Sequence, residues 1–159
     1  MLVVRPAVSP GEVDAARALF REYAAGLGRD LSFQRFAEEV AQLPGPYAEP
    51  EGRLLLAWVD GAVAGCVALR PLEGQACELK RLYVRPGYRG EGIGERLVRR
   101  ALDEALTAGH RRIRLDTLPS MRAAQALYRR LGFREISPYY ATPIEGTVFF
   151  ERTLEPPSV

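Results

Sequence analysis

The residues with the clearest chemical reading form the run Arg89-Gly90-Glu91-Gly92-Ile93-Gly94, set between a strand-like stretch and an amphipathic helical one. Glycines permit positive φ and let ligand atoms approach the main chain without meeting a Cβ. The helix that follows opens without a Ser, Thr, Asp or Asn cap, so its first N–H groups lack an evident internal acceptor. Unpaired N–H groups at the positive end of a helix dipole make an anion site, and Arg89 adds a cation. Glu91 and Glu95 oppose that field and are expected to point away from the ligand. Several readings compete for this loop. A Walker A loop needs Gly-Lys-Ser/Thr where Gly94-Glu95-Arg96 stands, which excludes it. A dinucleotide fingerprint is incomplete, because Glu95 replaces its third glycine, although Asp116 offers a ribose-binding acid. A glycine turn with no ligand explains the tight bend but neither the arginine nor the uncapped helix.

Other chemistry is thinly supplied. Cys66 and Cys77 form no C-x-x-C pair, and with His110 as the single histidine there is no zinc set. Two buried, reduced thiols and an exposed turn histidine are expected, and no metal. A net charge of +2 is too small to imply a nucleic-acid partner. Arg99, Arg100, Arg111 and Arg112 read as solvated helix and turn charges. Nearly all the positive charge is arginine, with Lys80 the only lysine. The N-terminus lacks the apolar stretch of a signal peptide, and no run reaches the ~18–20 apolar residues of a membrane span. Neither membrane nor nucleic acid is an expected partner, and the cytoplasm is the expected compartment.

These residues need a scaffold, and 159 residues with 47% hydrophobic and 26% charged content suit one globular domain. Leu2 to Val4 reads as a strand. Ser9-Pro10-Gly11-Glu12 reads as a capping box opening a helix that turns Val13, Ala16, Leu19, Phe20 and Tyr23 inward. A second helix is expected from Phe33 to Leu43, then a loop from Pro44 to Gly52. Leu54–Val59 and Val63–Leu69 flank Asp60-Gly61 as a β-hairpin. Further strands are expected at Ala76–Val84, Ile113–Thr117, just after Phe133, and Val148–Leu154. Helices are expected from the glycine loop to Ala108, and from a Ser120 cap to Leu131-Gly132. The domain spans 1–155, with a frayed tail at 156–159.

With the elements in place, the chain resembles the GNAT superfamily of N-acetyltransferases. That family's signature, Gln/Arg-x-x-Gly-x-Gly/Ala, is met by Arg89 to Gly94. Leu79-Lys80-Arg81-Leu82-Tyr83-Val84-Arg85-Pro86 is similar to its fourth strand and following turn. Ala124-Gln125-Ala126-Leu127-Tyr128-Arg129-Arg130-Leu131-Gly132-Phe133 resembles its A-x-x-L-Y-x-x-x-G-F segment. One departure is Met121, where many members carry a cofactor-contacting Asn. The resemblance implies an α/β (α+β) fold. Its mixed, mostly antiparallel sheet has six to seven strands, splays between the fourth and fifth, and is flanked by about four helices. It implies an acyl-CoA-dependent N-acyltransferase moving an acetyl group from acetyl-CoA to a primary amine, small-molecule or peptide, by direct attack in a ternary complex. A catalytically inactive acyl-CoA-binding sensor of the same fold is the alternative. A homodimer is common in the superfamily and is carried as an analogy.

The resemblance also assigns roles. Main-chain groups of Leu82, Tyr83 and Val84 would pair with the pantetheine arm, and those of Arg89, Gly90, Glu91, Gly92, Ile93 and Gly94 would hold the pyrophosphate. Arg122 and Arg129 are candidates to reach the 3′-phosphate, and nothing in their spacing distinguishes that from surface charge. Tyr128 matches the tyrosine near the cofactor sulfur, where a phenol with a reference pKa of about 10 can protonate a leaving thiolate. Glu78, eleven positions before Arg89, matches the base glutamate of histone-acetylating members, and a raised pKa is expected of it. Each also has an ordinary reading, as a core aromatic and an ion-pair partner. The loop Ser137–Gly146 borders the acceptor side in the family, so Tyr139, Tyr140 and Glu145 are candidate substrate contacts. Its aromatic residues would equally pin it to the body.

Overall fold

In the computed structural model, which describes residues 1–155, strand β1 (Leu2–Pro6) turns at Ser9 into helix α1 (Pro10–Leu27). The Ser9 hydroxyl accepts from the Glu12 N–H, the Glu12 carboxylate accepts from the Ser9 N–H, and Gly28 ends the helix at φ 63°. The expected second helix is shorter than its sequence pattern. A 3-10 turn at Ser32–Gln34 precedes α2 (Phe36–Ala41), because Arg35 between them adopts a left-handed φ of 55°. Strands β2 (Arg53–Val59) and β3 (Ala62–Pro71) form the expected hairpin. Asp60 and Gly61, at φ 48° and 84°, supply the two positive φ values that match the twist of paired strands. The chain continues through β4 (Ala76–Val84), α3 (Ile93–Thr107), β5 (Arg112–Thr117), α4 (Arg122–Arg130), β6 (Arg134–Ile136) and β7 (Val148–Thr153). The expected fraying at 156–159 lies outside the described residues.

The seven strands lie in the order β1-β2-β3-β4-β5-β7-β6, and every pairing except β4–β5 is antiparallel. A single parallel pair excludes the dinucleotide-binding reading, which needs successive parallel strands joined by crossover helices. Helices α3 and α4 share one hydrophobic core with one sheet face, through Leu97, Val98, Ala101, Tyr128 and Leu131. Helix α1 and α2 cover the other face through Ala16, Leu19, Phe20 and Val40.

The sheet divides where β4 leaves β5. Their register runs only through Ala76↔Arg112, Cys77↔Ile113 and Glu78↔Arg114, so the β5-side edge of β4 is unpaired from Leu79 onward. The cause is an extra residue in β4. Cys66 faces Tyr83 and Ala68 faces Lys80, with one β3 residue opposite two in β4, and Arg81 takes a φ of 62°. Gly65 accommodates the distortion, since a Cβ there would stand 2.6 Å from the Tyr83 carbonyl oxygen. The Arg81 side chain is only 2% exposed. Its guanidinium donates two hydrogen bonds to Glu39 of α2, at 2.8 and 3.0 Å, and lies 5.0 Å and 5.7 Å from the ring centres of Phe36 and Tyr23.

Removing the anion should expose how much this clamp carries. Glu39→Ala is expected to cost about 3 kcal/mol, because it strands a buried guanidinium. In a domain of this size that lowers Tm by roughly 6–12 °C in a melting scan. A shift below ~2 °C would mean that the aromatic rings alone hold the bulge.

Candidate active site

The divergence of β4 from β5 opens a groove of about 470 Å³. One wall is Leu82, Tyr83 and Val84, continuing into Arg89 and Gly94; the facing wall is Met121, Arg122, Ala124 and Leu127. Tyr23 and Leu27 of α1 also line it. At its outer end, Gly92 occupies the N-cap position of α3 at φ 78°, and no side chain caps the helix. Among the described residues, none of the N–H groups from Gly90 to Glu95 meets an acceptor. Gly90, at φ 84°, and Gly92 both face open space where a Cβ would be. The loop is therefore a strip of free donors at the positive end of a four-turn helix, which suits an anion. The Arg89 Nε donates to the Val84 carbonyl at 2.8 Å, and its guanidinium lies 5.7 Å from the Tyr83 ring centre. Glu91 is exposed, and Glu95 turns to Arg99 and Arg130. Both acids thus leave the loop as expected. The Ile93 side chain is buried in the core, so only its main chain is available to a ligand.

The groove runs inward to a small polar pocket of about 60 Å³. Lys80, Arg81, Gln34, Asp116, Thr117 and Tyr128 line it, with Tyr23, Leu82, Met121 and Ala124 shared with the groove. Tyr128 is buried against Phe133 and Phe150, yet it also lines this pocket. It is the core aromatic of its ordinary reading and at the same time faces the pocket. Burial, then the neighbouring Tyr23 and the Asp116 charge, push its phenol up, so it is a neutral donor at ordinary pH. Burial pushes the Lys80 ammonium down, and Glu78 and Asp116 partly restore it.

Glu78 is 1% exposed and does not show the raised pKa expected of it. Burial alone would raise it. The Lys80 charge, a hydrogen bond from Tyr139 and the Arg70 guanidinium outweigh burial and hold the carboxyl below its usual range. Arg70 Nε donates to Oε1 at 2.8 Å, the Tyr139 hydroxyl donates to Oε2, and Lys80 Nζ stands 3.8 Å away. The Tyr140 hydroxyl donates to Asp116 across the divergence. Tyr139, Tyr140 and Phe149 pack edge to face with ring centres 5.2–5.6 Å apart. The aromatic loop is therefore pinned to both strands beside the pocket. Glu145 is exposed and lines neither cavity, so the structure does not bring it to the site.

Other expectations need correction. Ser120 does not cap α4; Met121 holds the N-cap position without a side-chain hydrogen bond, and Ser120 gives only its carbonyl, to the Arg122 N–H. His110 is buried, not exposed, with Nε2 2.8 Å from the Glu51 carbonyl oxygen. Lys80, Gln34 and Thr117 carry no site role in the sequence reading, and Asp116 enters it only as a ribose-binding acid. Strand alternation from Glu78 would have placed Lys80 on the same face. Gln34 and Thr117 carry no local signal. Among the described residues no group of three or more His, Cys, Asp or Glu is placed to hold a metal ion, and no helix is long and apolar enough to cross a membrane.

This groove, strip of donors and inner tyrosine agree with a family match. Residues 14–133 match the Acetyltransferase (GNAT) family. The chain belongs to that family. A GNAT relative, an uncharacterized N-acetyltransferase of Schizosaccharomyces pombe, is 38% identical over 142 residues, covering 88% of this chain and 87% of that protein. The IAA acetyltransferase of Azospirillum brasilense is 39% identical over 111 residues, 67% of this chain and 71% of that one. A GNAT acetyltransferase structure from Staphylococcus aureus superposes with a TM-score of 0.81 at 20% identity, over 98% of this chain and 100% of that one, and so shares the fold.

Glu78 sits at the junction of these features, and its charge should matter to the fold. A carboxyl whose folded pKa is depressed contributes stability above its unfolded value, near pH ~4.3, and loses it as pH falls through the folded value. Glu78→Gln is therefore expected to lower stability by about 2–3 kcal/mol at pH 7, with the gap to the parent protein closing below about pH 4 in denaturant titrations. Equal stabilities at pH 7 would refute the buried anion.

Proposed function

We propose that this chain moves an acetyl group from acetyl-CoA to a primary amine by direct attack in a ternary complex. The observation that carries the proposal is the unpaired edge of β4 running directly into the uncapped N-terminus of α3. One elongated ligand with amide groups in its arm and an anion at its far end satisfies both. Leu82 and Val84 main-chain groups would pair with the pantetheine arm as an added strand does. The Val84 carbonyl already accepts from Arg89, and its second lone pair remains for the arm. The Gly90 to Gly94 N–H groups and the Arg89 guanidinium would hold the pyrophosphate. Of the two arginines considered for the 3′-phosphate, Arg122 lines the groove, while Arg129 reaches Glu135 and lies over Phe150.

The bound thioester would supply an activated acyl carbonyl. A main-chain N–H near Leu82 or Val84 would polarise it, and Tyr128 would give its proton to the departing sulfur. The neutral amine forms the C–N bond as the C–S bond breaks, and its surplus proton leaves to a base. One carboxylate, Asp116, lines the pocket, and a second, Glu78, is buried beside Lys80 without lining it. Both oxygens of Glu78 already accept hydrogen bonds, so a proton would reach it only by exchange through Tyr139. Asp116 has a single partner, Tyr140, and lines the pocket itself. Cys66 and Cys77 are fully buried, burial pushing Cys66 up and Cys77 up to about 12, which leaves neither suited to a covalent intermediate.

Isothermal titration with acetyl-CoA, CoA and NAD tests the donor. Binding of the first two at roughly micromolar Kd, without NAD, is expected. NAD binding alone would overturn the proposal. For the acid, Tyr128→Phe is expected to lower kcat by roughly 100-fold with little change in acetyl-CoA affinity. Unchanged turnover would remove Tyr128 from the mechanism.

A further inference from the structure

We propose that the acceptor is an amine that also carries a carboxylate, an amino acid in chemical class, bound with its carboxylate on Lys80 and its amino group toward Asp116. The proposal rests on the acyl-transfer reading above and specifies which amine enters the inner pocket.

The Lys80 side chain is 7% exposed, and its ammonium has three donors to place. One goes to the Gln34 Oε1 at 3.3 Å. Glu78, at 3.8 Å, lies beyond hydrogen-bond reach, and its oxygens are already served by Arg70 and Tyr139. A buried ammonium with one hydrogen bond is costly unless an anion completes it. Arg81, the other cation on the pocket wall, is charge-paired with Glu39 through two hydrogen bonds. Lys80 is thus the lining cation with no carboxylate in hydrogen-bond reach among the described residues, and it is the one lysine in a chain that otherwise uses arginine.

The same pocket carries the opposite charge on its facing strand. Asp116 of β5 stands across the divergence from β4, with one oxygen bonded to Tyr140 and the other without a partner among the described residues. Next to it, the Thr117 hydroxyl is buried and unpartnered, and it lines the same pocket. A cation on one wall and an anion on the other complement a zwitterion. Glu78 balances the Lys80 charge from 3.8 Å, but a simple alkylamine, or a lysine side chain of a protein, would leave two of the Lys80 donors without an acceptor. The small volume, about 60 Å³, admits the compact head of an amino acid.

In the reaction Asp116 takes the first ammonium proton, freeing the nitrogen to attack the acyl carbon. The C–N bond forms as the C–S bond breaks. The departing sulfur takes the Tyr128 proton, the second nitrogen proton restores the Tyr128 phenol, and Asp116 releases the first to solvent, one proton overall.

The test compares common L-amino acids with their α-carboxamides as acceptors, with acetyl-CoA as donor and the unmodified protein as enzyme. The best amino acid is expected to exceed its amide by at least about tenfold in kcat/KM. Lys80→Met should erase that preference by raising KM for the acid, with the Kd for acetyl-CoA unchanged. Amides accepted as well as acids, a preference that survives Lys80→Met, or no turnover of either class while acetyl-CoA binds would each overturn the proposal. Failure to bind acetyl-CoA would instead overturn the acyl-transfer reading, and this proposal with it. The acid-to-amide comparison needs no variant, so it decides even if Lys80→Met does not fold.

Discussion

The site depends on one backbone decision, the left-handed turn of Arg81 inside β4. An arginine at φ 62° is strained by roughly 1–3 kcal/mol, and nothing local to the strand repays it. The repayment comes from Glu39 and from the rings of Phe36 and Tyr23, all on the helical layer above. Cys77 and Leu79 join the α3 core before the bulge, and Leu82 and Val84 join it after, so the two-residue alternation skips a step at Arg81. Without that skip β4 would continue beside β5, and its edge would be consumed by ladder hydrogen bonds. With it, the sheet stays one sheet below Glu78 and becomes two walls above. The groove is thus the consequence of a strained residue held in place by a buried ion pair.

A divergence of this kind leaves main-chain and side-chain groups without their sheet partners, and the loop after β6 answers part of that need. Tyr139 donates to Glu78 on β4, and Tyr140 donates to Asp116 on β5, so adjacent tyrosines tie the two strands on either side of the gap. Burial is the largest influence raising both phenols, and the neighbouring carboxylates raise them further, which keeps them as donors. Their stacking on Phe149 of β7 fixes the loop to the sheet. The arrangement replaces regular strand pairing with side-chain bonds that leave the pocket between the walls open.

How much of this was legible depended on the range of the interaction. The Ser9–Glu12 capping box, the Asp60-Gly61 turn and the uncapped glycine loop are written within a few residues, and each appears as read. The same holds for the break between β4 and β5, which followed from a family resemblance rather than from any pattern in the strands. The Arg81 bulge was invisible because its partner Glu39 lies 42 residues away. His110 was misplaced for a like reason, its partner being a carbonyl 59 residues distant. Glu78 illustrates the limit on chemistry. Its position on the strand was legible, but its pKa direction depended on Arg70, Lys80 and Tyr139 together, and only the fold assembles them.

The electrostatics of the inner pocket follow from the same assembly. Arg70 of β3 and Lys80 of β4 share the single carboxylate of Glu78, and Lys80 brings a positive charge to the pocket, while Arg81 and Glu39 cancel each other. The β5 wall carries Asp116, which accepts a hydrogen bond from Tyr140. In a narrow, poorly hydrated space such opposed charges act strongly, because little water screens them. An arginine in place of Lys80 would present a planar fork with its own geometric demands, whereas an ammonium is a compact charge that can face Gln34 and the cavity at once. The outer groove is different in kind, with apolar walls and main-chain donors at its end. A long ligand can be held along it by shape and backbone hydrogen bonds, while selection among small partners falls to the two charges at its inner end.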